Sequence, residues 1–99
     1  MKTINAIAIV LLAVIFCSSC ARDKRDWKKA VGINTIQNFE QFRLKYPESA
    51  FSDSASIKIE ELAFNEALLR NNINDYISFL EKYPESSFTE MAGKKIVEL

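Results

Sequence analysis

The side chains able to do chemistry are few, and where they stand decides what that chemistry can be. The 99 residues hold no histidine and two cysteines, Cys17 and Cys20. Both lie between an apolar run and a charged one. Beyond Cys20 the chain carries only carboxylates, hydroxyls, phenols and amines as reactive groups. It therefore offers no thiolate nucleophile, no imidazole base and no nitrogen and sulfur ligand set for zinc. The adjacent Glu60 and Glu61 point about 100° apart on a helix, so they do not converge as the facing carboxylates of a glycosidase do. Glu48 and Glu85 occupy equivalent places in an internal repeat, which assigns them to structure. The expectation is a non-enzymatic chain without metal or cofactor.

The segment around the cysteines reads as an export signal. Lys2 is followed by an apolar run over 4–16, then by Cys17-Ser18-Ser19-Cys20, and then by Arg22, Asp23, Lys24, Arg25 and Asp26. This is the layout of a secretory leader. The run of 13 residues is shorter than the roughly 20 that a membrane-spanning helix needs. On these residues alone, a leader cleaved after Ser19 or Ala21, or a Cys17–Cys20 disulfide, also fits.

Ser18, Ser19 and Cys20 resemble the lipobox of bacterial lipoproteins, in which small residues precede a cysteine that is acylated and becomes the first residue of the mature chain. Cys17 stands where that pattern carries leucine. The resemblance implies a lipoprotein signal peptide over 1–19 and lipidation of Cys20, palmitate included. Several acyl chains tether a protein where a single one binds only marginally. Ala21 is not the aspartate that marks inner-membrane retention in lipoprotein sorting, so the resemblance implies an outer-membrane protein facing the periplasm.

Residues 20–99 carry 12 Lys and Arg against 13 Asp and Glu, a net charge of about minus one. The balance is uneven: 22–29 holds five basic and two acidic residues, and 30–99 holds seven and eleven. A basic stretch beside a lipid anchor suits anionic headgroups, and a solvated spacer suits it equally. Residues 20–26 are thus read as a lipid-anchored charged linker. No basic face interleaves with aromatics as nucleic-acid binding requires, and no nucleic-acid partner is expected.

The rest of the chain repeats itself. Laid over 64–99, residues 27–62 match at 15 of 36 positions without a gap, and KYPESAF at 45–51 returns as KYPESSF at 82–88. A fixed period in this range marks stacked supersecondary units, none of which can bury its own apolar face. Ile36, Phe39, Phe42 and Tyr46 fall at helical spacing, as do Ile73, Tyr76, Phe79 and Tyr83. Thr35 and Asn72 precede these stripes as N-caps, with Asn38 and Asp75 three residues on. Pro47 and Pro84 end the stripes, and Ser49 and Ser86 are placed to cap the next helix in each unit. Ala55, Ile59, Leu62, Ala63, Ala67 and Leu69 predict one long helix over 52–70, broken by Asn71 and Asn72. Trp27 and Ala30 align with Phe64 and Ala67, which predicts a truncated copy of that helix over 23–31. A last helix carries Phe88, Met91, Ala92, Ile96 and Leu99. The fold class expected is all-α, with about five helices in two helical-hairpin repeats and no strand.

An aromatic, two residues, a second aromatic, then Tyr-Pro-x-Ser-x-Phe and an alanine four residues past the Phe make up the repeated motif. Phe39, Phe42, Tyr46, Pro47, Ser49, Phe51 and Ala55 carry it once; Tyr76, Phe79, Tyr83, Pro84, Ser86, Phe88 and Ala92 carry it again. The pattern resembles the tetratricopeptide-like (TPR-like) repeats of bacterial envelope proteins, among them the BamD-type lipoprotein of the β-barrel assembly machine and the Tol–Pal coordinator. It spans a repeat domain over 27–99, with units 27–62 and 64–99. The period of 37 exceeds the ordinary 34, and Phe42 and Phe79 stand where a small residue is usual. BamD-type proteins carry about five repeats against two here, so none of their binding residues is transferred.

The resemblance implies protein binding without naming a partner. The expectation is a small lipoprotein acting as an adaptor or scaffold for envelope proteins. Phe42, Tyr46, Phe79 and Tyr83 are assigned to core, and Phe64, Leu68, Tyr76 and the last helix, through Met91, Ile96 and Leu99, to partner contact. The apolar face of that last helix needs cover: the preceding hairpin, a second copy, or a partner. A self-associating structural lipoprotein, or a truncated remnant of a longer array, is the competing expectation.

Overall fold

The computed structural model describes residues 21–99, so the expected leader and Cys20 lie outside the described residues. Five helices and no strand make up that span: α1 (21–33), α2 (Ile36–Lys45), α3 (Ser52–Arg70), α4 (Ile73–Lys82) and α5 (Thr89–Glu98). The chain is all-α over this length. No described helix is long and apolar enough to cross a membrane. The truncated helix expected over 23–31 is α1, which extends over 21–33 and so takes in residues 21–26. Asp23, Asp26 and Ala30 recur at helical spacing, and each has something on the neighbouring elements to bind or to pack against.

Two asparagines make the tight corners. Asn34 (φ 56°) and Asn71 (φ 47°) adopt the left-handed region, which asparagine tolerates better than other residues with a side chain. Their amides donate to the carbonyls of Ala30 and Ala67, each at 2.8 Å, and so close α1 and α3. The next residue caps the following helix: Thr35 Oγ1 accepts from the Asn38 amide at 3.2 Å, and Asn72 Oδ1 accepts from the Asp75 amide at 2.9 Å. Side chains close the box, Asn38 Nδ2 donating to Thr35 Oγ1 at 2.7 Å and Asn72 Nδ2 donating to Asp75 Oδ2.

The wide corners follow the prolines. Tyr46 and Tyr83 end α2 and α4 in the same conformation, φ −129° and ψ 62°, because Pro47 and Pro84 push the preceding residue out of helical geometry. Ser49 and Ser86 do not cap α3 and α5 directly. Phe51 and Phe88 hold the N-cap positions with no side-chain cap, and the serine hydroxyls accept from the Phe51 and Phe88 amides at 3.1 Å. The hydroxyl thus closes the turn and sets the phenylalanine that enters the core.

Two clusters form that core. Ala30, Phe39, Phe42, Ala55 and Ile59 build the first, with Trp27, Ile36, Tyr46, Phe51 and Leu62 against it. Phe64, Ala67, Tyr76, Phe79 and Ala92 build the second, flanked by Leu68, Leu80, Phe88 and Ile96. Tyr83 packs on both. Alanines at the contact points let helices approach while aromatic rings fill the space between, and each buried ring contributes roughly 2–3 kcal/mol. The rings interlock: Trp27 lies 5.6 Å from Phe39, 5.3 Å from Phe42 and 5.4 Å from Phe51, and Phe64 lies 5.5 Å from Phe79 and 5.2 Å from Phe88.

Phe39 is fully enclosed, so Phe39→Ala is expected to cost about 3–5 kcal/mol of unfolding free energy through the lost ring and the cavity. Thr35→Ala, which removes only an exposed cap, should cost about 1 kcal/mol. Chemical denaturation of both variants beside the wild type measures the two costs.

Candidate functional site

Acidic, basic and hydroxyl side chains meet where α1 crosses the end of α2. Asp23 and Asp26, three residues apart on the inner side of α1, reach the corner that follows α2. Ser49 Oγ donates to Asp23 Oδ2 at 2.6 Å, and the carboxylate is buried there, 8 % exposed. Asp26 Oδ2 accepts from the Tyr46 hydroxyl at 2.6 Å and from Lys45 Nζ at 3.1 Å. The Lys45 ammonium also lies 5.4 Å from the centre of the Tyr46 ring. The Tyr46 hydroxyl and then Lys45 hold the Asp26 carboxyl below the usual aspartate range. In return the Asp26 hydrogen bond holds Lys45 and Tyr46 above theirs. This node fastens α1 to the Tyr-Pro corner.

Beside it a groove of about 230 Å³ opens between α1 and α2, and a second of about 230 Å³ opens between α3 and α4. Apart from Ile36 in the second, the residues lining the two stand 37 positions apart. Ala30, Phe42, Lys45 and Tyr46 in the first become Ala67, Phe79, Lys82 and Tyr83 in the second, unchanged in type. The walls differ: Asp26 gives way to Ala63, Lys29 to Glu66, Ile33 to Arg70 and Asn38 to Asp75. With Ala63 in place of Asp26, the Tyr46 node has no counterpart, and an Arg70–Asp75 ion pair at 3.6 Å takes its place as the charged contact of the second groove. Chemically this is a pair of shallow, amphipathic clefts on a common frame with different polar walls. Such a surface can hold side chains of an elongated ligand.

The residues expected to meet a partner separate into two groups. Phe64 and Tyr76 are enclosed, 2 % and 0 % exposed, because Phe64 stacks on Phe88 and Tyr76 fills the second cluster with its hydroxyl donating to Asn71 Oδ1 at 2.9 Å. Neither presents a surface here. Leu68 and Ile96 are half-buried against the same cluster. Met91 and Leu99 are exposed. Ala92, expected on the uncovered face of the last helix, is fully buried against the preceding hairpin, which narrows the exposed part of that face to Met91 and Leu99. Of the residues assigned to core, Phe42 and Phe79 are buried, and Tyr46 and Tyr83 are half-buried.

The polar node escaped sequence reasoning. Its signal was present: Asp23, Asp26 and Ala30 share one helical stripe with Trp27, which puts two carboxylates on the inner side of α1. Comparison with family models, curated proteins and solved structures finds no match.

The node makes stability depend on pH in a defined direction. Because the folded Asp26 carboxyl titrates lower than in the unfolded chain, its contribution is present above about pH 3.9 and fades as pH falls through the folded value. Tyr46 and Lys45 titrate higher, so theirs is present below about pH 10 and fades as pH rises through the folded values. Asp26→Asn is therefore expected to be less stable than wild type at pH 7, with the gap closing below pH ~3.9. Unfolding midpoints measured from pH 2.5 to 8 check this.

Proposed function

We propose that this protein is a lipid-anchored adaptor of the bacterial envelope, built from two TPR-like units over 27–62 and 64–99. One observation carries the reading: the paired grooves keep Ala, Phe, Lys and Tyr at matching positions while their walls change in charge. Repeat modules recognise an elongated partner in this way, with a constant frame setting the spacing and variable walls setting the chemistry. The lipobox-like Ser18-Ser19-Cys20 and the leader before it support an anchor at Cys20 and the periplasmic side of the outer membrane as the setting. An anchor of this kind confines the helical domain to the membrane surface and raises its effective concentration for an envelope protein. The role is non-catalytic, with an envelope protein and the membrane as partners.

Exposed Met91, Val97 and Leu99 on and just after α5 favour a second reading, in which the lipoprotein associates with itself through its last helix.

Crosslinking and affinity purification of the full-length acylated protein from membranes, beside Cys20→Ser and Tyr83→Ala, separates the two. An adaptor should recover one envelope protein, depleted with Cys20→Ser and reduced about tenfold with Tyr83→Ala if that side chain supplies a typical anchor contact. Recovery of the protein itself and nothing else would establish self-association instead. Incorporation of labelled palmitate into the wild type and not into Cys20→Ser is the expected companion result.

A further inference from the structure

The structure sorts the charges of α1 by side. Arg22, Lys24, Arg25, Lys28 and Lys29 are all exposed. At 100° per residue they occupy an arc of about 160° opposite Asp23 and Ala30. Of the two acids that would offset them, Asp23 is buried on Ser49, and Asp26 is bound by Tyr46 and Lys45 on the groove side, where only Lys29 among the five acts on it. None of the five bases has an ion-pair partner among the described residues. A segment of mixed sign in sequence thus becomes a predominantly cationic surface in three dimensions.

The same end of α1 carries an apolar slot of about 720 Å³. Trp27, Phe51 and Ala21 line it together with Lys24, Arg25 and Lys28. Trp27 and Phe51 stack at 5.4 Å with an interplanar angle of 14°, and both are only half-buried.

We infer that the outer face of α1 docks on an anionic phospholipid bilayer, with the basic side chains at the headgroups and the Trp27–Phe51 slot at the boundary with the hydrocarbon. Charge complementarity requires an anion, and the slot requires one that also brings hydrocarbon. Tryptophan beside lysine and arginine suits that interface. A nucleic acid would want an open aromatic face for a base, but Phe51 stacks on Trp27, and Phe39 and Phe42 crowd its other sides. Docking by α1 would fix the orientation of the grooves relative to the membrane. The inference takes its setting from the lipid-anchored reading above, and the experiment reads the two separately.

Trp27 is the only tryptophan and reports on the slot directly. The full-length acylated protein is placed in phosphatidylcholine vesicles with and without phosphatidylglycerol, and acrylamide quenching of Trp27 is measured. Trp27 should be shielded only with phosphatidylglycerol, and the shielding should vanish near 1 M salt, where the screening length falls to about 3 Å. Each base near an anionic surface strengthens binding about fivefold, so the triple variant Lys24→Gln, Arg25→Gln and Lys28→Gln should lower the docked-to-free ratio roughly a hundredfold. Lys28→Gln alone should lower it about fivefold, which keeps the test valid if the triple variant loses helicity by circular dichroism. Equal quenching in both vesicles would overturn the inference. So would equal shielding in neutral vesicles by soluble inositol hexakisphosphate, which would make the surface a general polyanion site. Flotation of Cys20→Ser with phosphatidylcholine vesicles alone tests the anchor independently, since those vesicles offer α1 no anionic headgroup to bind.

Discussion

One helix serves both cores, and the rest of the architecture depends on it. Ala55 and Ile59 in the first half of α3 belong to the first aromatic cluster, and Phe64 and Ala67 in the second half belong to the second. No glycine or proline interrupts its 19 residues, so the two clusters are joined by a continuous backbone ladder rather than by a flexible hinge. Neither α2 nor α4 buries its aromatic stripe without that helix. Few of the helical residues would be stable alone, since isolated helices of about 10 residues are marginal in water. Packing of Phe39 and Phe42 on one stretch of α3, and of Tyr76 and Phe79 on the next, supplies the missing stabilisation.

Small residues set the distances at which this packing happens. Ala55 and Ala92 have no exposed surface, and Ala30 and Ala67 have almost none. They let neighbouring helices close on one another, and the large rings then fill what remains. The structure accommodates the bulk of Phe42 and Phe79 by tilting ring against ring, Phe42 on Tyr46 and Phe79 on Tyr83 at 5.1 and 5.3 Å. Those same tyrosines form one side of each groove. Core packing and groove shape are therefore set by the same side chains, whereas the charged groove walls, Asp26 and Lys29 in one and Glu66, Arg70 and Asp75 in the other, lie outside the clusters.

Polar contacts at the α1 end do a different job from the aromatic ones. Asp23 on Ser49 and Asp26 on Tyr46 and Lys45 satisfy carboxylates that face inward, and in doing so they remove negative charge from the outer side of α1. The proposed adaptor then has two chemically distinct surfaces, amphipathic grooves between helices and a basic helix face with an aromatic slot. A protein held at a membrane would use the second to set the presentation of the first.

Much of this was legible in the sequence, for local reasons. Helix limits follow from residues that act on their own backbone: proline after Tyr46 and Tyr83, asparagine at 34 and 71, and the capping side chains of Thr35 and Asn72. The helical spacing of the aromatics marked the buried side of α2 and α4, and the single helix over Ser52–Arg70 matches its expected extent. What the sequence alone could not decide is which of two equally apolar residues reaches the surface. Phe64 and Tyr76 looked as available as Met91, and only the position of Phe88 and α5 over them encloses the first two. The same holds for the acids of α1. Their number and spacing are written in the chain, but whether they neutralise the neighbouring bases or turn inward depends on Tyr46 and Ser49, 20 and 26 residues further along. Short-range stereochemistry therefore determined the elements, and long-range packing decided which side chains remain free to act.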